Sequence, residues 1–241
     1  MPLVLPRFYA IIDRSPEASG RPELSLDEIV RALTGAGVRL IQVRAKQAPP
    51  RAGQATSPAV GGASQALLSD TRRILSLAPS GSLVIVNDRA DVACLAGAAG
   101  VHLGQDDLPV AAARQLLGPD RLIGWSTHNQ EQVKAGDALP IDYLAFGPVF
   151  PTATKPNAAP VVGLAALRAA RALTKKPLVA IGGITPANAA QALEAGADSV
   201  AVISGWLVPT KEGLAPPTAG LAAGELAARL EEFRRALGRL D

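Results

Sequence analysis

One cysteine, Cys94, occurs in 241 residues, so neither an internal disulfide nor a thiolate zinc site can be built from this chain. It lies in an apolar, alanine-rich stretch, and a reduced, cytoplasmic location is the expectation. An excess of either charge is lacking too: 24 basic side chains stand against 21 acidic ones, a formal net charge of +3. That imbalance is too small for a dense basic face, which argues against a nucleic-acid partner. No stretch approaches the roughly 20 uninterrupted apolar residues of a membrane span. Met1 to Ala10 carries prolines and Arg7 but lacks the apolar run and small-residue cleavage site of a secretory signal, so neither membrane nor leader is expected. Aromatics are scarce at 3%, whereas 48% of residues are hydrophobic. Composition and length together suit one large α/β domain spanning 1–241.

Short apolar, often β-branched runs recur at Phe8 to Ile12, Val38 to Val43, Leu83 to Val86, Val101 to Leu103, Leu122 to Trp125, Tyr143 to Phe146, Leu178 to Ile181 and Ser199 to Ile203. Between them lie alanine- and leucine-rich segments at helical spacing, such as Leu164, Leu167, Ala170 and Leu173. Strands that are apolar throughout are buried on both faces, as in a parallel sheet covered by helices. Glycines in Gly35-Ala36-Gly37, Gly97 to Gly100 and Gly196 each precede a strand and read as helix C-caps. Eight such units in one chain of this length predict a (β/α)8 TIM barrel rather than an open doubly wound sheet. Two segments break the rhythm. Gln47 to Gly62, rich in Pro, Gly, Ala and Ser, reads as a long flexible loop, and 209–220 as a second loop before a final amphipathic helix from Glu225 to about Leu237. That last helix either packs on the barrel or meets a neighbouring copy, so a homo-oligomer stays open.

Parallel barrels carry their sites at the carboxyl ends of the strands, and polar residues collect there. Gln42, Arg44 and Lys46 share one side of the second strand by period-two geometry. Burying two cations together calls for an anion, and a diphosphate offers charge and many acceptor oxygens; a solvated basic strand end is the plainer alternative. Asn87-Asp88 ends the third strand and Gln105-Asp106-Asp107 follows the fourth. Asp88 and Asp107 together form an oxygen half-site for magnesium, although Asp106 is an alternative ligand and either pair could simply cap a helix. After the sixth strand, Thr152, Thr154 and Lys155 give a proline-stiffened loop donors for an anion. Gly182-Gly183 after the seventh strand and Ile203-Ser204 after the eighth sit where barrels of this kind hold phosphate with backbone N–H groups. Ser126 is a further phosphate donor. His128 is either a packed residue or an acid–base group, and Trp125 is expected among the outer helices.

Taken in order, Gln42-x-Arg44-x-Lys46, Val86-Asn87-Asp88, His102-Leu103-Gly104-Gln105-Asp106-Asp107, Gly147-Pro148-Val149-Phe150-Pro151-Thr152-x-Thr154-Lys155 and Ile181-Gly182-Gly183-Ile184 resemble the thiamine phosphate synthase family from about Tyr9 to Gly205. The resemblance implies a magnesium-dependent transferase. Its substrates would be 4-amino-5-hydroxymethyl-2-methylpyrimidine diphosphate and 4-methyl-5-(2-phosphooxyethyl)thiazole, and its products thiamine phosphate and pyrophosphate. It assigns Gln42, Arg44, Lys46, Asn87, Ser126 and Lys155 to the diphosphate, with Arg44, Lys46, Ser126 and Lys155 the residues that carry catalysis. Asp88 and Asp107 fall to the metal, and Thr152, Thr154, Gly183, Ile203 and Ser204 to the thiazole phosphate. Ala45 stands where the family usually has an acidic residue, and the insertion after Lys46 is either a lid or a solvent loop. A thiazole tautomerase on the same barrel and a non-catalytic barrel binding a phosphorylated metabolite are the rivals. The complete Gln-Arg-Lys and paired-aspartate sets favour the synthase.

Overall fold

The computed structural model describes residues 3–15, 24–46, 59–152, 159–206 and 223–241. Its strands are β1 (Phe8–Asp13), β2 (Leu40–Arg44), β3 (Leu83–Asn87), β4 (Gly100–Leu103), β5 (Leu122–Thr127), β6 (Tyr143–Phe146), β7 (Leu178–Ile181) and β8 (Ser199–Val202). The helices that alternate with them are α1 (Leu26–Gly35), α2 (Ala59–Leu77), α3 (Ala90–Ala96), α4 (Val110–Leu117), α5 (Gln130–Asp137), α6 (Gly163–Arg171), α7 (Pro186–Glu194) and α8 (Ala223–Leu237). Every strand runs parallel to its neighbours and β8 pairs with β1, so the sheet closes into the expected (β/α)8 barrel.

Alternation along the strands divides the apolar residues into two cores. Tyr9, Leu40, Ile85, Tyr143, Val179 and Ala201 cluster as one, which the register places inside the barrel. Phe8, Ile41, Val86, Leu144 and Val200 join the helices in the other, larger cluster. Trp125 packs against that outer cluster, as period two requires. The interior holds its few large side chains by setting glycine opposite them. A Cβ on Gly124 would meet the Tyr143 ring at 2.0 Å, so only glycine leaves room for the tyrosine to cross the barrel.

Two readings from the sequence are refined. Residues 59–62, expected as the end of a loop, belong to α2; two glycines look like loop signals, but they fall in the first turn of a helix whose later turns bury Leu67, Thr71 and Ile74. The remainder of that insertion, 47–58, and the expected loop 209–220 lie outside the described residues. The last helix packs on the barrel between α1 and α7, with the Phe233 and Phe8 rings 4.8 Å apart. No helix among the described residues is long and apolar enough to cross a membrane.

Candidate active site

The carboxyl ends of β1 to β4 form a charged sector. Asp13 and Arg44 lie opposite each other in the β1–β2 register, and their side chains form an ion pair about nine-tenths buried. Ser15 completes the corner: its N–H donates to Asp13 Oδ1 at 2.9 Å, and its Oγ accepts the Lys46 N–H at 2.8 Å. Lys46 reaches across to β3, its Nζ 3.2 Å from Asp88 Oδ2. Arg44 and Lys46 thus meet carboxylates of the protein itself, Asp13 and Asp88. The buried Arg44 guanidinium in particular needs one, since leaving it unpaired would cost about 3–5 kcal/mol.

Asp88 occupies left-handed backbone, φ 62, with its N–H donating to the His102 carbonyl at 2.8 Å. Aspartate is one of the few non-glycine residues that tolerates that region, and strained backbone of this kind concentrates at functional positions. The turn carries its carboxyl toward Asp107. Burial, then contact with Asp107, pushes Asp88 up to about 6, with Lys46 pulling the other way. Asp107 is fixed from its own loop, Oδ2 accepting the Gly104 N–H at 2.6 Å. Asp106 is exposed, and Asp107 is the carboxylate that meets Asp88. A cavity of about 320 Å³ bounded by Lys46, Ser64, Asn87, Asp88 and Arg89 opens beside this pair.

The sector above β5 to β8 is different in character. Its cavity, about 360 Å³, is lined by Ser126, His128, Thr152, Gly183, Ile203 and Ser204 among others, with no Asp, Glu, Lys or Arg among the described residues. Gly183 shows why glycine stands after β7. Its φ is +63, and a Cβ there would lie 2.3 Å from the Pro151 carbonyl oxygen. Asn188 in α7 braces the turn, accepting the Thr185 N–H at 2.8 Å and donating to the Gly183 carbonyl at 2.9 Å. The N-terminus of α7 follows directly, bringing the positive end of its dipole to the same end of the barrel.

A match to the model of the family described as "Thiamine monophosphate synthase" covers residues 8–206. The chain belongs to that family. A thiamine-phosphate synthase from Koribacter versatilis is 44% identical over 210 residues, 87% of this chain and 93% of the relative. One from Anaeromyxobacter dehalogenans is 46% identical over 208 residues, 86% and 84% of the two chains. The solved thiamine phosphate pyrophosphorylase of Pyrococcus furiosus superposes with a TM-score of 0.71 at 30% identity, covering 96% of this chain and 95% of that one.

Within this thiamine monophosphate synthase family member, the structure gathers most of the candidate residues but at two depths. Arg44, Lys46, Asp88 and Asp107 stand at the rim. Gln42 lies one layer below, 2% exposed, with Nε2 donating to the Tyr9 hydroxyl at 2.8 Å. Asn87 is buried at the end of β3. Ser126 Oγ is 2.9 Å from His102 Nε2. Thr152, Gly183, Ile203 and Ser204 face the uncharged cavity, while Thr154 and Lys155 lie outside the described residues. His128 Nδ1 lies 2.6 Å from the Gly147 carbonyl, which can only accept, and the ring lines the cavity. The sequence reading passed over Asp13, Ser15, Tyr9, Tyr143 and Asn188. Asp13 was within reach of the same alternation rule, since Tyr9, Ile11 and Asp13 share the inward face of β1.

Proposed function

We propose that this protein is a thiamine phosphate synthase, joining 4-amino-5-hydroxymethyl-2-methylpyrimidine diphosphate to 4-methyl-5-(2-phosphooxyethyl)thiazole. The observation that carries the reading is the division of the barrel mouth: cations and carboxylates over β1 to β4, and an uncharged, glycine-turned cavity over β5 to β8. A diphosphate leaving group suits the first sector and a phosphomonoester held by backbone N–H groups suits the second. Gln42, Arg44, Lys46, Asn87, Ser126 and Lys155 hold the diphosphate; Thr152, Thr154, Gly183, Ile203 and Ser204 hold the thiazole phosphate.

The donor set fits magnesium. Asp88 and Asp107 offer hard oxygens in contact with each other, and burial and then Asp107 push the Asp88 carboxyl upward, a cost that a bound cation would offset. Mg2+ bound there would neutralise charge on the departing pyrophosphate. The chain's own residues supply the rest. As the pyrimidine methylene C–O bond breaks, its electron pair leaves with pyrophosphate, and Arg44, Lys46 and Lys155 stabilise that growing negative charge. The thiazole nitrogen then donates its lone pair to the pyrimidine cation to form the new C–N bond. The apolar walls, Ile181, Ala201 and Ile203, keep water from the cation while the phosphate anchor aligns the nitrogen.

Incubation of both substrates with Mg2+ is expected to give thiamine phosphate and pyrophosphate. No product at high enzyme concentration would overturn the reading in favour of a tautomerase or a binding protein. Asp88 also links the metal to stability. Its folded pKa, about 6, lies above the ordinary value of 3.8, so its contribution is fully present below 3.8 and is lost as pH rises through 6. The metal-free protein is weakened above that window, where the carboxylate is ready for a cation. Thermal melts with and without Mg2+ should therefore show a larger upward shift at about pH 7.5 than at about pH 5. Equal shifts would place the metal elsewhere.

A further inference from the structure

The barrel contains a continuous line of polar side chains whose ends, Gln42 and Ser126, belong to the diphosphate assignment and whose middle, Tyr9, Tyr143 and His102, neither assignment uses. Gln42 Nε2 meets the Tyr9 hydroxyl at 2.8 Å, Tyr9 meets Tyr143 hydroxyl to hydroxyl at 2.9 Å, Tyr143 meets His102 Nδ1 at 3.2 Å, and His102 Nε2 meets Ser126 Oγ at 2.9 Å. The line crosses from β2 through β1, β6 and β4 to β5. These are the only two tyrosines in the chain, and both are at most 1% exposed. A buried hydroxyl is kept only where its hydrogen bonds are made, and phenylalanine would fill the same space.

We infer that this line is a hydrogen-bond relay of fixed direction, in which Tyr9, Tyr143 and His102 act as positioning residues that present the Ser126 hydroxyl to the substrate as a donor. The inference rests on the reading of Ser126 as a phosphate contact. The direction follows from donor counting. An amide nitrogen can only donate, so the Tyr9 oxygen accepts from Gln42. Burial pushes both phenols well above their ordinary range, so each stays neutral with one proton. The Tyr9 proton goes to the Tyr143 oxygen, and the Tyr143 proton goes to His102 Nδ1. That nitrogen must then carry a lone pair, which places the imidazole proton on Nε2, where it donates to Ser126 Oγ. The Ser126 proton is left for the mouth.

The opposite direction has a chemical penalty at the working end. Ser126 would donate inward to His102 and turn only lone pairs toward an anion. With the inferred direction, a neutral serine offers its proton to a phosphate oxygen of the diphosphate. The relay also ties the amide of Gln42, beneath the charged sector, to the hydroxyl that faces the other sector. His128 offers an internal contrast, because its Nδ1 donates to the Gly147 carbonyl. The chain's two histidines are held as opposite tautomers.

Long-range proton–nitrogen NMR spectra of protein labelled with [15N]histidine read this directly, with His128→Asn used only for assignment. His102 is expected to show a pyridine-type Nδ1 and a pyrrole-type Nε2, and His128 the reverse. Tyr143→Phe removes the donor at Nδ1 and is expected to convert His102 to a mixture of tautomers and to weaken Mg2+-pyrophosphate binding roughly tenfold. Tyr9→Phe leaves Tyr143 donating and should keep His102 in the wild-type tautomer, so the two variants together read the order of the relay, and the wild-type spectrum alone tests its direction if a variant fails to fold. An Nδ1–H or doubly protonated His102 in the wild type overturns the relay. So does an unchanged tautomer in Tyr143→Phe. These spectra require no turnover: a wild-type His102 in the expected tautomer without any thiamine phosphate formed would overturn the functional reading alone.

Discussion

Asp88→Ala is expected to lower kcat/KM by about a thousandfold, the loss of roughly 4 kcal/mol of charge stabilisation on the leaving group. Two physical effects meet at this position and a short series of variants separates them. Asp88 sits at φ 62, where alanine carries a backbone penalty of about 1–2 kcal/mol that asparagine and glycine largely escape. Its carboxylate is also net disfavoured in the metal-free protein, since burial and Asp107 outweigh Lys46. Asp88→Asn, which keeps the backbone tolerance and removes the charge, is therefore expected to melt higher than wild type without metal at neutral pH. Asp88→Ala should melt lower than Asp88→Asn. All three substitutions, to Ala, Asn and Gly, should lose activity together with the Mg2+-dependent thermal shift. Wild-type turnover in Asp88→Ala would remove this residue from the metal site. A melting order that tracked activity rather than backbone tolerance would remove the strain argument.

The second large effect is at the other sector. Gly183→Ala should raise KM for the thiazole phosphate by roughly a hundredfold, about 2.7 kcal/mol of binding, and destabilise the fold by about 2–5 kcal/mol through combined strain and overpacking. The new Cβ would stand 2.3 Å from the Pro151 oxygen and 2.8 Å from the Phe150 carbonyl carbon, at φ +63. Those neighbours are backbone atoms of the β6–α6 connection and cannot rotate away as a side-chain tip would. The β7 turn and the connection must separate, and both border the uncharged cavity through Gly183 and Thr152. Gly37→Ala is the control. It shares a positive φ, +96, but a Cβ there meets nothing within 4 Å, and the residue lies at the opposite end of the barrel between α1 and β2. It should cost about 1–2 kcal/mol from backbone strain alone, with both KM values unchanged. Steady-state kinetics with each substrate varied in turn, combined with urea unfolding, distinguish the two. An unaltered thiazole phosphate KM in Gly183→Ala would exclude the β7 turn from phosphate binding.

Strand order and site location were readable because they depend on local pattern. Apolar runs such as Leu178–Ile181 declare a strand buried on both faces, and a glycine such as Gly97, observed at φ 74 as the C-cap of α3, declares the end of a helix. Once eight such units are counted, closure and the position of the carboxyl-end mouth follow from general rules of the fold. The same rules placed Arg44, Lys46, Asp88 and Asp107 at one rim before any coordinates. They failed at residues 59–62, where glycines inside a helix carry the same letters as glycines in a loop and only the packing of later turns decides.

The sequence alone determined the barrel, the family resemblance, and which strand ends carry charge, because periodicity and motif spacing are properties of short stretches. Only the tertiary structure decided who meets whom. Tyr9 and Tyr143 are 134 positions apart and touch because closure brings β1 and β6 to face each other across the interior. Arg44 found Asp13, Lys46 found Asp88, and Asp107 rather than Asp106 turned toward Asp88, because those pairings depend on distance and burial. Desolvation makes each choice strongly unequal, and no run of letters records it.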